Sequence, residues 1–184
     1  MLVTNDDEVA KKARYLSTFG MKSAWEREKK GKFSVPEFVD VGYNYKMSDI
    51  TAAIGVAQLR RLDRIIERKR KLAQYWDARL DELEGIKKPY VDPDTIPIYQ
   101  SYVALIDPQL DRNKMIQDLL SKGIQTQIGT YASHMQPVYL APQTCPCSKD
   151  VFHRAISLPM YFTLQEAVID EVADAIQHIL GECK

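Results

Sequence analysis

Three prolines within nine residues, Pro89, Pro93 and Pro97, divide this 184-residue chain into two parts. Proline lacks a backbone N–H and its ring clashes with the preceding helical turn, so no helix crosses this segment. Helical periodicity dominates the sequence before the prolines, whereas strand and helix patterns alternate after them. We therefore predict an α+β fold with two domains, 1–85 and 86–184.

The first 40 residues combine one clear helix with a segment that lacks periodicity. The opening MLV is predicted to be the end of a strand, so that the chain begins inside a core element. Asn5 or Asp6 is expected to cap a helix, because its short polar side chain can accept a backbone hydrogen bond from the first turn. Residues 20–40 are predicted to form a long surface loop.

A long helical region follows over 48–83. Ser48 is the predicted cap, and apolar residues then recur at helical spacing. The apolar stripe slips near Asp63, which predicts two helices or a kink, and Gly85 is the expected stop. This region has more apolar surface than a small domain needs, so self-association is expected.

The second part of the chain has the pattern of an α+β unit. Strands are predicted over 86–90 and 101–106, and Asp111 is expected to cap a helix that ends at Gly123. Residues 124–128 alternate in polarity, which predicts a further strand. A loop is expected through GTYASHMQPVYLAPQTCPC, and Thr163 with Glu166 forms a predicted capping box for the last helix.

Charge and composition argue against several classes of protein. Lys plus Arg and Asp plus Glu are both 25, so the net charge is zero and no nucleic-acid partner is predicted. The basic run ERKRK is interpreted as a solvated helix face. No apolar run approaches the ~18 residues of a membrane span, so no membrane partner is expected. Three cysteines fit a reducing compartment, and we predict a cytoplasmic protein.

No metal or catalytic motif is recognisable in the sequence. Cys145, Cys147 and His153 could be imagined as metal ligands, but no fourth ligand follows at the spacing of a zinc site. A glycine-rich phosphate loop, a nucleophile elbow and paired histidines on a helix are all missing. We therefore predict no metal site and assign no catalytic residue.

Asn44 is the most informative polar residue in the first part. An asparagine before a helix is commonly a turn former that bonds its own backbone. This one is flanked by Tyr43 and Tyr45 and followed by Lys46, so amide, phenol and ammonium donors lie together. Such a set suits an anionic group.

His134 is the corresponding candidate in the second part. It lies in a predicted loop near Tyr131, Ser133 and Tyr139. Polar loop residues on a rigid scaffold often belong to binding sites, although a single loop histidine is more often structural or solvated. Both interpretations of His134 stay open at this point.

Four separated segments resemble, in order, one family of proteins. They are MLVTNDDEVAKKARYLSTFG, GYNYKMSDITAAIGVAQL, GIQTQIGTYASHMQPVY and AISLPMYFTLQEAVIDEV. Together they are similar to the DegT/DnrJ/EryC1/StrS family of pyridoxal-phosphate-dependent aminotransferases, whose members mostly act on nucleotide-linked keto sugars. The resemblance extends over essentially the whole chain. It implies pyridoxal phosphate as cofactor, glutamate as the usual amino donor, a nucleotide-sugar substrate and a homodimer.

The resemblance also assigns roles to individual residues. It implies that Asn44 binds the cofactor phosphate from the neighbouring subunit of the dimer. Lys46 replaces an arginine of the family, so that a bidentate contact to the substrate becomes a point charge. Tyr131 and His134 match the loop that approaches the sugar substrate.

Only the C-terminal portion of the family's sequence is matched. The expected fold is the C-terminal small domain of a fold type I pyridoxal-phosphate enzyme over 86–184, preceded over 1–85 by a remnant of the large domain. The Schiff-base lysine of the family precedes the matched region, so Lys11, Lys12 and Lys22 are not its equivalents. We therefore expect the chain to be inactive alone.

The alternative is a non-enzymatic regulatory or interaction module. The segment SDITAAIGVAQLRRLD could be mistaken for half of a helix-turn-helix, but the neutral charge balance argues against DNA binding. DNA affinity that falls steeply with salt would support this alternative.

Overall fold

The computed structural model describes residues 2–22, 37–139 and 144–182. The chain forms two compact units, 1–60 and 61–184. The division lies at residue 60 rather than at the predicted residue 85, because the second long helix packs into the C-terminal unit. The assignment of 1–85 to the large domain of a longer protein stays a prediction.

Within residues 2–22 and 37–60, the first unit contains two helices and one short antiparallel ladder. Helix α1 spans Asp7–Ser17, and the side chain of Asp6 accepts hydrogen bonds from the backbone N–H groups of Glu8 and Val9. This confirms the predicted cap. Strands β1 (Met21–Lys22) and β2 (Glu37–Phe38) pair with each other. They lie at the two ends of the predicted 20–40 loop, whose remaining residues 23–36 are outside the described ranges.

The start of the chain and helix α2 complete this unit. Leu2 and Val3 lie outside any strand and are exposed, so the prediction of a strand end is wrong for them. Helix α2 spans Asp49–Leu59, and the Ser48 hydroxyl accepts a hydrogen bond from the N–H of Thr51, as predicted. The whole helix contains no buried residue.

The second unit is an antiparallel sheet packed against helices. Its four strands lie in the order β3, β4, β6, β5, and each neighbouring pair is antiparallel. The elements are α3 (Leu62–Leu80), β3 (Ile86–Lys87), β4 (Tyr102–Ile106), α4 (Arg112–Ser121), β5 (Gln127–Ile128), a 3-10 turn (Ser133–Met135), α5 (Pro146–Arg154), β6 (Ala155–Leu158) and α6 (Glu166–Glu182). The α+β pattern predicted for this part is therefore confirmed.

Helix α3 belongs to the core of this second unit. Leu72, Ala73, Trp76 and Leu80 recur at helical spacing and are all buried. The Trp76 indole N–H donates to the carbonyl of Pro159 at 3.1 Å, which ties the helix to the end of β6. This packing explains why the compact unit begins at residue 61 rather than at residue 86.

Two local predictions in the second unit are wrong. Pro146 begins helix α5 inside the predicted loop, because proline at the first helical turn is pre-organised for a helix. Helix α6 begins at Glu166, and the Gln165 carbonyl accepts from the N–H groups of Val168 and Ile169. Thr163 therefore lies before the helix and does not form the capping box with Glu166.

Tyr102 makes the stability of the C-terminal unit depend on pH in the alkaline range. Its hydroxyl donates to Asp77 at 2.5 Å, and burial followed by this hydrogen bond raises the pKa of Tyr102. The folded state therefore retains a proton that an unfolded tyrosine loses near its ordinary pKa of about 10. This contribution to stability is complete below pH ~10 and is lost as the pH rises further.

We expect Tyr102→Phe to flatten the fall in unfolding free energy above pH ~10 by up to about 1.4 kcal/mol per pH unit. Urea unfolding at intervals from pH 8 to 11 measures this slope. Tyr90→Phe is the matched control, because Tyr90 is 86% exposed. Equal slopes for the Tyr102→Phe variant and the wild type would contradict the coupling.

Candidate cofactor and substrate sites

The loop that carries Asn44 is fixed along the C-terminal end of α1. The Tyr43 N–H donates to the Leu16 carbonyl at 2.6 Å, and the Tyr45 N–H donates to the Ser17 carbonyl at 3.0 Å. Asn44 itself forms an isolated antiparallel bridge with Thr18. The last carbonyls of a helix have no partner within the helix, so the loop satisfies groups that would otherwise need solvent.

Two glycines make this close approach possible. A Cβ at Gly42 would lie 2.0 Å from the backbone nitrogen of Gly20. Gly20 has φ +73°, and a Cβ there would lie 1.8 Å from the carbonyl oxygen of Asp40. Neither position tolerates a side chain without backbone movement, because real Cβ atoms do not approach other atoms so closely. The backbone on both sides of the contact is therefore held in one geometry.

The aromatic residues around Asn44 form one rigid surface. The rings of Tyr43 and Tyr45 stack with centroids 5.1 Å apart and an interplanar angle of 8°. Residues two apart in an extended segment lie on the same face, so the intervening Asn44 side chain points to the opposite face. Asn44 is exposed, and its side chain has no hydrogen-bond partner among the described residues.

Lys46 supplies a positive charge close to this loop. Its ammonium lies 4.8 Å from the centroid of the Phe19 ring, in a cation–π contact. Phe19 has φ +59°, a conformation that is uncommon for a residue with a side chain. The first unit thus holds an uncommitted amide and an ammonium on one loop, as the sequence predicts.

The second predicted loop leaves the sheet after β5. The Gly129 N–H donates to the carbonyl of Ala155 at 2.9 Å, which continues the ladder between β5 and β6 by one residue. Ala132 is completely buried and fixes the segment between the two candidate residues. Tyr131 is exposed, whereas His134 lies half-buried in the 3-10 turn.

The four predicted site residues fall into two pairs. Asn44 and Lys46 lie together in the first unit, and Tyr131 and His134 lie together in the second. Each pair is supported by an aromatic ring that no local sequence pattern predicts. Phe19 is the ring beneath Lys46, and Phe152 is a ring 6.5 Å from that of Tyr131. Neither contact has a sequence signal, because the partners are far apart along the chain.

The described residues contain neither a metal cluster nor a membrane-spanning helix. Among the described residues, no group of three or more His, Cys, Asp or Glu side chains could hold a metal ion. Within the same ranges, no helix is long and apolar enough to cross a membrane.

Solved structures with the same fold are aminotransferases. A DegT DnrJ EryC1 StrS aminotransferase from Brucella abortus is 25% identical, with a TM-score of 0.78 over 96% of this chain and 44% of that one. DesV from S. venezuelae is also 25% identical, with a TM-score of 0.81 over 96% of this chain and 45% of that one. The chain therefore shares its fold with part of these aminotransferases.

The family follows from the sequence comparison. The model of the DegT/DnrJ/EryC1/StrS aminotransferase family matches residues 1–177, and the chain belongs to this family. Its full-length enzymes use pyridoxal phosphate as cofactor. The resemblance of the four sequence segments is therefore confirmed.

Two similar proteins have names that describe their function. The spore coat polysaccharide biosynthesis protein SpsC of Bacillus subtilis is 30% identical over 98% of this chain and 49% of its own length. The dTDP-4-dehydro-2,3,6-trideoxy-D-glucose 4-aminotransferase of Saccharopolyspora spinosa is 30% identical over 96% of this chain and 47% of its own length. The chain thus spans about half the length of the curated relatives it matches.

Proposed function

We propose that this chain is the C-terminal portion of a pyridoxal-phosphate-dependent aminotransferase that acts on nucleotide-linked keto sugars, with glutamate as amino donor. Membership of the family and the keto-sugar substrate in the name of the Saccharopolyspora spinosa enzyme support this function. The observation that carries the proposal is the Asn44 loop. It presents an exposed amide that has no hydrogen-bond partner in the described part of the chain, on a backbone fixed by Gly20 and Gly42.

The residues of the Asn44 loop fit the phosphate of the cofactor. A phosphate group offers several acceptor oxygens and negative charge, and it pairs well with an amide N–H and an ammonium. Asn44 would donate a hydrogen bond to the phosphate. When bound, pyridoxal phosphate would supply the chemistry that moves the amino group from the donor to the keto sugar.

We propose that the Tyr131–His134 loop binds the nucleotide sugar. The Tyr131 ring is 66% exposed, and its far end carries a hydroxyl that can donate to sugar or phosphate oxygens. His134 lies three residues further along the same loop, and its imidazole can donate or accept there. Lys46 would contribute a point charge to the substrate, as its place in the family's motif implies.

A homodimer is part of the same proposal. Helix α2 exposes Ile50 by 77%, Ile54 by 60% and Leu59 by 63%, although these are among the most apolar side chains. An exposed apolar surface of this kind commonly marks a protein interface. We propose that Asn44, just before this helix, contacts the cofactor bound by the neighbouring subunit.

The proposed role of Asn44 can be tested in a full-length enzyme that contains this segment. We expect Asn44→Ala to weaken the affinity for pyridoxal phosphate by about 10- to 100-fold, because a hydrogen bond to a charged group contributes roughly 1.5–3 kcal/mol. Equilibrium dialysis against the free cofactor measures the change.

Asn5→Ala is the matched control, because Asn5 is also an exposed asparagine but lies before α1, away from the Asn44 loop in sequence. It should leave cofactor affinity unchanged. Retention of wild-type affinity by Asn44→Ala would remove Asn44 from the cofactor site.

We also propose that the 184-residue chain alone does not catalyse transamination. Lys11 and Lys12 lie exposed on α1, in a segment that follows the family's Schiff-base lysine. The chain therefore needs a lysine from the preceding half of the family's fold. The alternative of a non-enzymatic regulatory module stays a prediction that no observation favours, as does the cytoplasmic location.

A further inference from the structure

Arg112 is a buried charge that the proposed function leaves unused. It is the first residue of α4 and is only 4% exposed, yet it forms no ion pair within the described residues. The neighbouring carboxylate of Asp111 instead accepts from the backbone N–H groups of Asn113 and Lys114 as the helix cap. A charge is costly to bury, so its place in the fold requires compensating contacts.

The hydrogen bonds of Arg112 lead to the start of the substrate-binding loop. Its Nη1 donates to the carbonyl of Ala155 at 2.9 Å, and its Nε donates to Asn113 Oδ1 at 2.9 Å. The Gly129 N–H donates to the same Ala155 carbonyl, also at 2.9 Å. One carbonyl oxygen thus joins the guanidinium to the residue at which the loop leaves the sheet.

Gly129 restricts how the start of the loop can move relative to the sheet. A Cβ at Gly129 would lie 2.5 Å from Val103 Cγ1 and 2.9 Å from the Cβ of Ala155. The backbone therefore lies directly against the neighbouring strands, with no room for a side chain. The direction in which the loop departs is set by the contact among Gly129, Ala155 and Arg112.

A second connection runs from Arg112 to Tyr131 through an aromatic ring. The guanidinium carbon lies 5.7 Å from the centroid of the Phe152 ring, within the range of a cation–π contact. The Phe152 and Tyr131 rings have centroids 6.5 Å apart and are tilted by 35°. Burial lowers the pKa of Arg112, whereas Asp111 and Tyr131 act in the opposite direction, which is consistent with this proximity.

We propose that Arg112 is a positioning residue for the substrate-binding loop, acting on its first residue through the Ala155 carbonyl and on Tyr131 through Phe152. Arg112 is not expected to touch the substrate. It fixes the position of Gly129 through the Ala155 carbonyl and the position of the Tyr131 ring through the Phe152 ring. Both effects depend on the single guanidinium of Arg112. The importance of this loop for substrate binding rests on the proposed function, but the positioning itself does not.

The test uses the 184-residue chain labelled with 3-fluorotyrosine. The fluorine resonance of Tyr131 is the one that disappears in Tyr131→Phe. We expect Arg112→Met to shift this resonance and to accelerate hydrogen exchange of the Gly129 amide at least tenfold relative to the buried Ile176 amide of α6. Phe152→Leu should shift the Tyr131 resonance but leave Gly129 exchange unchanged, because it removes only the ring contact.

Arg154→Met is the matched control. Arg154 donates to the Ile106 carbonyl at 2.8 Å in the same unit and should affect neither signal. An unshifted Tyr131 resonance with wild-type Gly129 exchange in Arg112→Met would overturn the proposal. Equal acceleration at Gly129 and Ile176 would also overturn it, because Arg112 would then support only overall stability.

A second variant keeps the test decisive if Arg112→Met does not fold. An unshifted Tyr131 resonance in Phe152→Leu would then overturn the proposal, and a shifted one would support it. A separate titration of the wild-type chain with dTDP addresses the function of the loop. Absence of dTDP binding would count against that function and would leave the positioning by Arg112 standing.

Discussion

Replacing Trp76 with alanine is expected to lower the unfolding free energy of the C-terminal unit by about 3–5 kcal/mol. The Trp76 side chain is completely buried, and its ring stacks on Tyr102 with centroids 5.8 Å apart. Its indole N–H also donates to the Pro159 carbonyl. The substitution therefore leaves a large cavity and an unpaired carbonyl at the contact between α3 and the end of β6.

Chemical denaturation monitored by far-ultraviolet circular dichroism measures this loss. Tyr90→Ala is the matched control, because it removes an aromatic ring that is 86% exposed and should change the unfolding free energy by less than about 0.5 kcal/mol. A change below about 1 kcal/mol for Trp76→Ala would mean that α3 does not belong to the core of this unit.

The second large effect is expected at Gly42. A methyl group there would lie 2.0 Å from the backbone nitrogen of Gly20, so Gly42→Ala must push the Asn44 loop away from α1. Overpacking of this kind costs about 2 kcal/mol, which corresponds to about 30-fold faster exchange. The amides of Tyr43 and Tyr45 report this displacement, because they donate to Leu16 and Ser17.

Gly55→Ala is the control, and it is expected to raise stability where Gly42→Ala lowers it. A Cβ at Gly55 meets no atom within 4 Å, and alanine is favoured over glycine in a helix by up to about 1 kcal/mol. This variant should stabilise α2 and leave exchange at Tyr43 and Tyr45 unchanged. Wild-type exchange of those two amides in Gly42→Ala would show that the loop does not depend on the close approach of the two glycines.

Features that depend on neighbouring residues are predictable from the sequence. Asp6, Ser48 and Asp111 cap helices as expected, because each side chain accepts from an N–H only two or three residues away. The buried strand Tyr102–Ile106 was also predicted from its own composition. In each case the deciding interaction lies within a short segment of the sequence.

Features that depend on distant contacts were missed. Arg112 is buried because its guanidinium meets the carbonyl of Ala155, which lies 43 residues further along the chain. Helix α3 joins the C-terminal unit because Trp76 meets Pro159 across 83 residues. Neither contact produces a pattern in the local periodicity, so the packing of α3 into the C-terminal unit is not predictable from it. The domain boundary at residue 85 stays a prediction.

In the candidate site, too, local features are predictable from the sequence and distant contacts are not. Asn44 was selected because aromatic and basic residues surround it in the sequence, and the family resemblance supplied its role. The glycine contact that fixes its loop was not predicted, because Gly20 and Gly42 are separated by 21 residues that carry no shared pattern. The supporting rings Phe19 and Phe152 were missed for the same reason.

The most direct test of the central claim combines the 184-residue chain with pyridoxal phosphate, followed by borohydride reduction and mass mapping of the lysines. We expect no single lysine to be labelled selectively, because the proposed function gives this chain a contact to the cofactor phosphate and the substrate-binding loop, and assigns the Schiff-base lysine to the preceding half of the family's fold. Selective labelling of one lysine in near-stoichiometric yield would contradict this claim and would show that the chain holds a complete cofactor site by itself.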